Sequence, residues 1–194
     1  MCSSDLFLSR NPGTDVRLVL SDQNVPLIED GIDVALRIGD LPDSSLQVVK
    51  VGSVRRILCA SPAYLEANGE PRSPEDLAAH AVVAFAGPAL TSWTFRGKGG
   101  RREQTVSVRP RLSVNTAEAA LDAAIAGVGI TRVLSYQAAD AVARGKLKIM
   151  LSSFEPPASP VNLVHPAQSQ LPRRTRAFLD LATGLLRKRL ALIA

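Results

Sequence analysis

The chain has 194 residues, 46% of them hydrophobic, a mean hydropathy of +0.10 and a formal net charge of +5. That is enough apolar material for a core in one domain or two small lobes, but no run reaches the roughly 18–20 residues of a membrane span; the longest, residues 119–130, is broken by Asp122, Gly127 and Gly129. Two cysteines, Cys2 and Cys59, are too few for a disulfide framework or a thiolate metal cluster, and Cys59 sits in the apolar run Ile57-Leu58-Cys59-Ala60, where it reads as a small core residue.

Met1–Asp5 has no basic segment followed by an apolar one, so no secretory signal is read and a cytoplasmic location is expected. Along the chain, residues 16–20 alternate apolar and charged groups as a strand would, residues 25–29 form a short helical turn, and residues 33–38 read as a buried strand ending at Gly39. This is the βαβ rhythm of a parallel sheet. Residues 55–61 form another apolar strand, after which Ser61 as N-cap and Pro62 at the first helical position open a helix toward Asn68-Gly69. Ser73-Pro74-Glu75-Asp76 repeats that start signal for a helix up to His80. Strands follow at 82–86, 92–96 and 105–108, the last two joined by Gly97-Lys98-Gly99-Gly100 into an antiparallel hairpin inserted in a mixed sheet.

A strand at 111–114 leads into the clearest helix, 116–126, with Asn115 and Glu118 spaced as a capping box and Gly127 as its stop. A strand at 130–133, a helix at 135–143 stopped near Gly145, and a strand at 147–151 come next. The segment Glu155-Pro156-Pro157-Ala158-Ser159-Pro160 is an extended connector to a last strand at 161–165, and an amphipathic helix from Arg173 to about Arg189 closes the chain. Its flanking basic groups are read as a solvated helix face rather than a nucleic-acid patch, because aromatics are scarce and do not alternate with them.

Ligands of α/β sheets collect beyond the carboxyl ends of strands, where helix N-termini offer free N–H groups. Ser61, Asn115 with Thr116, and Arg37 stand at such ends and together suit a carboxylate or another small anion, with Phe85 and Gly87 at a further strand end as an apolar wall. Each has a plainer reading beside it. Ser61 and Asn115 would cap helices in any case, Arg37 would pair with Asp33 or Asp40, and Phe85 would pack in the core. No motif of a zinc hydrolase, serine hydrolase or phosphate loop is present, and His80 and His165 lack a flanking orienting acid, so no enzyme, cofactor or metal is expected.

The order of short motifs is itself informative: Arg17-Leu18-Val19-Leu20-Ser21-Asp22, Leu27-Ile28-Glu29-Asp30-Gly31-Ile32-Asp33-Val34-Ala35-Leu36-Arg37-Ile38-Gly39, Leu58-Cys59-Ala60-Ser61-Pro62-Ala63-Tyr64-Leu65, Pro74-Glu75-Asp76-Leu77, then Phe85, Trp93, Phe95, Gly127-Val128-Gly129-Ile130 and Leu171-Pro172. This series resembles the effector-binding domain of LysR-type transcriptional regulators, over residues 7 to about 190. The resemblance implies an α/β fold of two lobes like the periplasmic solute-binding proteins (type 2), with two crossover strands and an effector in the interlobe cleft. Lobe I would be residues 7–56 with 162–194, and lobe II residues 57–161.

The resemblance also implies a small-molecule effector, a homodimer or tetramer, and DNA contact only through an N-terminal winged helix-turn-helix that is missing here, along with the first strand of lobe I. The family's pairing surface maps to Arg17, Val19 and Leu20. Met1–Leu6 resembles the translated end of a sequencing adapter and is expected to be a non-native leader. The alternatives are a stand-alone solute-binding protein of the same fold and a fragment without function of its own. An in-frame helix-turn-helix upstream of Phe7 in the resequenced locus is the expected result; a signal peptide there would favour the solute-binding reading.

Overall fold

A computed structural model describes residues 3–21, 25–41, 46–85, 91–97, 103–167 and 171–192. The chain divides into two compact units, one formed by residues 1–53 and 159–192, the other by residues 54–158. The chain therefore leaves the first unit once and returns once.

The first unit holds a three-stranded sheet in the order β1 (Ala35–Ile38), β10 (Ser159–Pro166), β2 (Leu46–Val54). β1 and β10 are antiparallel, with Arg37 opposite Asn162 and Ile38 opposite Val161, so the parallel pairing read from the sequence does not hold here. Two helices belong to this unit, α1 (Ser3–Arg10) and α5 (Arg173–Ala191), and Phe7 meets Phe178 edge-on with ring centroids 5.3 Å apart. The close approach of β2 to α5 requires Gly52, where a Cβ would come within 2.8 Å of Leu190 Cδ1.

Two expectations fail in this unit. Residues 16–20 form no strand: a strand exists only as part of a ladder, β1 pairs with β10 alone among the described residues, and Leu18, Val19 and Leu20 are left exposed. β1 is also not buried, since Leu36 and Ile38 on one of its faces are exposed. Meanwhile β2, whose valine-rich run Val48-Val49-Lys50-Val51 carries a β-propensity signal, went unread.

The second unit holds a five-stranded mixed sheet in the order β7 (Pro110–Val114), β4 (Val82–Phe85), β8 (Ile130–Leu134), β3 (Arg56–Ala60), β9 (Lys148–Met150). β4 is parallel to both β7 and β8, whereas β3 is antiparallel to β8 and β9. β3 is buried on both sides. Leu58 and Ala60 join Tyr64, Leu77, Trp93, Phe95 and Ile130 on one face, and Ile57 and Cys59 join Ala124, Val133, Ala138 and Leu147 on the other. A strand covered on both faces must be apolar at every position, which is why it reads as a continuous hydrophobic run.

The first face is covered by α2 (Pro62–Asn68), by a 3-10 turn at Pro74–Ala79 where an α-helix was expected, and by a hairpin of β5 (Ser92–Phe95) and β6 (Gln104–Ser107). That hairpin forms its own two-stranded sheet rather than inserting in the large one; its turn at residues 98–102 lies outside the described residues. The second face is covered by α3 (Ala117–Ile125) and α4 (Ser135–Ala143). Ala117, Ala120 and Ala124 give α3 a flat buried stripe that lets it lie close to the sheet.

Cys59 is fully buried, and that burial pushes its thiol up to about 12. Its thiol is expected to escape alkylation of the native chain at pH 8 and to label only after denaturation, as peptide mapping would read. Gly129 is similarly constrained, because any Cβ there would overlap the carbonyl of Ala81, the acceptor for Ile130 N–H. Gly129→Ala is therefore expected to lower stability by about 1–3 kcal/mol in urea unfolding.

Candidate functional site

Three parallel strands of the second unit, β4, β7 and β8, end along one edge of its sheet. The register places Phe85 beside Val114, and Val83 beside Thr131, so the carboxyl end of β8 reaches the same edge two residues later. Asn115 and Thr116 follow Val114 at once. Thr116 has extended backbone and its Oγ1 accepts a hydrogen bond from Ala119 N–H at 3.3 Å, so Thr116 is the N-cap of α3 and not Asn115, as the capping-box spacing suggested. The helix starts one residue later than expected. Asn115 is consequently exposed and its side chain makes no hydrogen bond among the described residues.

Phe85 is half-buried against Ile57 and Val133, so its ring is partly core and partly edge. Gly87 lies outside the described residues. Phe85, Asn115 and Thr116 are thus brought to one place. The N-terminus of α3 adds the partial positive charge of its free N–H groups at that place.

Ser61 is elsewhere. Because β3 runs against β4, β7 and β8, the end of β3 lies at the opposite edge of the sheet. The same conclusion follows from α3. A Cβ on Gly127, just beyond the C-terminal end of that helix, would lie 3.7 Å from Ser61 Oγ, while Thr116 sits at the other end, nine residues or about 13 Å away. Ser61 is buried and its Oγ accepts from Tyr64 N–H at 3.3 Å, capping α2 as the local sequence pattern requires. The parallel-sheet reading placed Ser61 and Thr116 on a shared edge; one reversed strand separates them.

Arg37 lies in the first unit. Its Nη2 donates to the carbonyl of Val25 at 2.6 Å, and it forms no ion pair with Asp33 or Asp40. Arg17, Val19 and Leu20 are exposed. Among the described residues no group of three or more His, Cys, Asp or Glu side chains is placed to hold a metal ion.

Three further arginines of the second unit were not anticipated. Arg55 forms a partly buried ion pair with Glu155, its Nη1 lying 3.2 and 3.1 Å from the two carboxylate oxygens. Arg132, in β8, stands with its guanidinium carbon 4.9 Å from the centre of the Trp93 ring and 5.9 Å from that of Phe95, and donates from Nη1 to the carbonyl of Thr94 at 3.3 Å. Burial, assisted by the nearby charge of Arg56, draws the Arg132 guanidinium down to about 10. The signal was present in the sequence: a basic residue inside a largely buried strand, as in Ile130-Thr131-Arg132-Val133-Leu134, needs a local partner.

The LysR substrate binding domain family matches residues 5–187 of the chain. The chain belongs to the LysR family. Its LysR relatives include the probable HTH-type transcriptional regulator LtrA of Klebsiella pneumoniae, 34% identical over 178 residues covering 90% of this chain and 57% of that protein. The HTH-type transcriptional regulator CrgA of Neisseria meningitidis is 30% identical over 90% of this chain and 58% of its own length. The solved regulatory domain of CrgA superposes with a TM-score of 0.79 at 30% identity, covering 96% of this chain and 89% of that one. Full-length AphB of Vibrio cholerae gives 0.83 at 26% identity, covering 94% of this chain and 62% of that one.

This LysR chain therefore spans about six-tenths of the length of the full-length regulators it matches. It has the two-lobe fold of LysR regulatory domains, and it is a regulatory domain rather than an enzyme. Among the described residues no helix is long and apolar enough to cross a membrane. Ser61→Ala is expected to lower stability by about 1 kcal/mol through loss of the α2 cap, and Thr116→Ala by a similar amount at α3, both measured by urea unfolding.

Proposed function

We propose that this chain is the sensing domain of a LysR-type transcriptional regulator that binds a small carboxylate or aromatic acid and governs DNA binding by a winged helix-turn-helix outside this sequence. The observation that carries the reading is the common edge of β4, β7 and β8. An exposed Asn115 amide, the Thr116 hydroxyl and the α3 N-terminus stand there beside the ring of Phe85. Polar donors and a helix terminus beside an aromatic ring suit a ligand with a carboxylate on an apolar body. Gly87 is proposed as a further contact on its place in the sequence alone, and Arg37, which keeps guanidinium donors beyond its bond to Val25, is proposed as an effector contact contributed by the first unit.

Effector binding would act by population shift, limited in size by the ligand's differential affinity for the two states of the regulator. The stand-alone solute-binding alternative is less well supported, because the relatives described above are named transcriptional regulators. A cytoplasmic location is proposed on the same ground.

The intact regulator is proposed to self-associate as a dimer or tetramer through the segment containing Arg17, Val19 and Leu20. Among the described residues β1 pairs with β10 alone and Leu18, Val19 and Leu20 are exposed, which supports a further strand from outside this sequence completing the sheet. Adding the upstream residues of the regulatory domain is expected to raise stability; light scattering of that longer chain would show a dimer that Val19→Lys with Leu20→Lys disrupts.

A thermal-shift series with benzoate and short carboxylates tests the effector reading. A cognate acid at about 100 times its dissociation constant adds about 2.7 kcal/mol of stability. The shift is expected to fall when Asn115 and Thr116 are both changed to Ala, and again in Arg37→Ala. Full retention of an acid's shift in both variants would remove the proposed site.

A further inference from the structure

Arg56 and Arg132 lie on neighbouring antiparallel strands, and their register makes them diagonal neighbours on one face. Arg56 is opposite Leu134 and Leu58 is opposite Arg132, which sets the two arginine backbones about 7–8 Å apart. Both project to the face that carries Leu58, Trp93 and Phe95. Neither forms an ion pair with a described acidic residue; the acid nearest in sequence to the unit's boundary, Glu155, is taken by Arg55.

Two like charges held side by side, one of them largely removed from water, are unfavourable unless something negative joins them. Among the described residues the Arg132 guanidinium is only partly compensated. One of its five N–H donors goes to the Thr94 carbonyl, and its flat side rests on Trp93. Trp93 and Phe95 are themselves buried, so they serve as a floor that fixes the guanidinium plane rather than as a stacking surface for a ligand. The fork of donors is thereby preorganised, and the exposed Arg56 is free to close on a group held by it.

We propose that Arg56 and Arg132 form an oxyanion site for the carboxylate or phosphate group of a small molecule, on the face of the sheet opposite α3. The site stands independently of the effector reading given above, since Phe85 packs on the α3 and α4 face and Asn115 and Thr116 precede α3.

Trp93 is the single tryptophan of the chain, and Arg132 lies on it, so intrinsic fluorescence reads this site directly. The full chain would be titrated with sodium phosphate, and separately with sodium acetate, at ionic strength held constant with sodium chloride. A saturable change in Trp93 emission with at least one of the two anions is expected, and Arg56→Gln is expected to weaken it at least tenfold. Arg56 is exposed and its side chain makes no hydrogen bond or ion pair among the described residues, so Arg56→Gln is expected to keep the protein folded where Arg132→Gln would loosen the hairpin. Asn115→Ala with Thr116→Ala should leave the titration unchanged, and a loss there would transfer the anion to the α3 edge and overturn the assignment. A response to acetate alone would support a carboxylate ligand, and to phosphate alone a phosphate. No saturable response to either anion, or an identical titration in Arg56→Gln, would also overturn it.

Discussion

β3 must hide both of its faces, and the second unit is arranged to satisfy that requirement. Ile57 and Cys59 need cover on one side, Leu58 and Ala60 on the other, so helices α3 and α4 occupy one face and α2 with the β5–β6 hairpin occupies the other. Burial of this kind stabilises by roughly 25 cal/mol for each Å² of apolar surface, and β3 delivers it from four consecutive residues. Its direction matters as much as its burial. Because β3 runs against β4, β7 and β8, the sheet has one edge where three strands finish and another where β3 does, and only the former collects Phe85, Asn115 and Thr116.

The hairpin that covers the first face also explains how a charge can be carried on a core strand. Arg132 occupies a position whose neighbours in register are apolar, and it is accommodated because Trp93 gives it a ring to lie on and Thr94 gives it a carbonyl. Without the hairpin the same arginine would simply be a solvated side chain. The packing that hides Leu58 therefore also decides the orientation of the guanidinium beside it.

Much of this was legible in the sequence because many of the signals are local. Ser61-Pro62 starts α2 where the cap chemistry says it must, helix α4 spans the residues its periodicity marks, and Gly127 at φ 79° ends α3 as a residue without Cβ should. What failed is nonlocal. Residues 16–20 have a strand's alternation, yet they gain no ladder, since pairing depends on a neighbour that the alternation itself cannot supply. The sequence alone groups Ser61 with Thr116 because strand direction does not show in composition; an antiparallel β3 and a parallel one would carry the same apolar run. The two-lobe architecture is common to LysR regulatory domains, whereas the separation of these two residues depends on the direction of β3 in this sheet.

The division of the chain into 1–53, 54–158 and 159–192 has a consequence for how the protein is made. The second unit is one uninterrupted stretch and can finish folding as soon as it has left the ribosome. The first cannot, for β10, the middle strand of its sheet, is synthesised only after the whole second unit. At translation rates of about 5–20 residues per second, β1 and β2 wait on the order of 5–20 s for the strand that joins them. During that interval the nascent chain carries a completed domain beside two unjoined strands, and it is in those seconds, rather than in the finished molecule, that chaperones have most to protect.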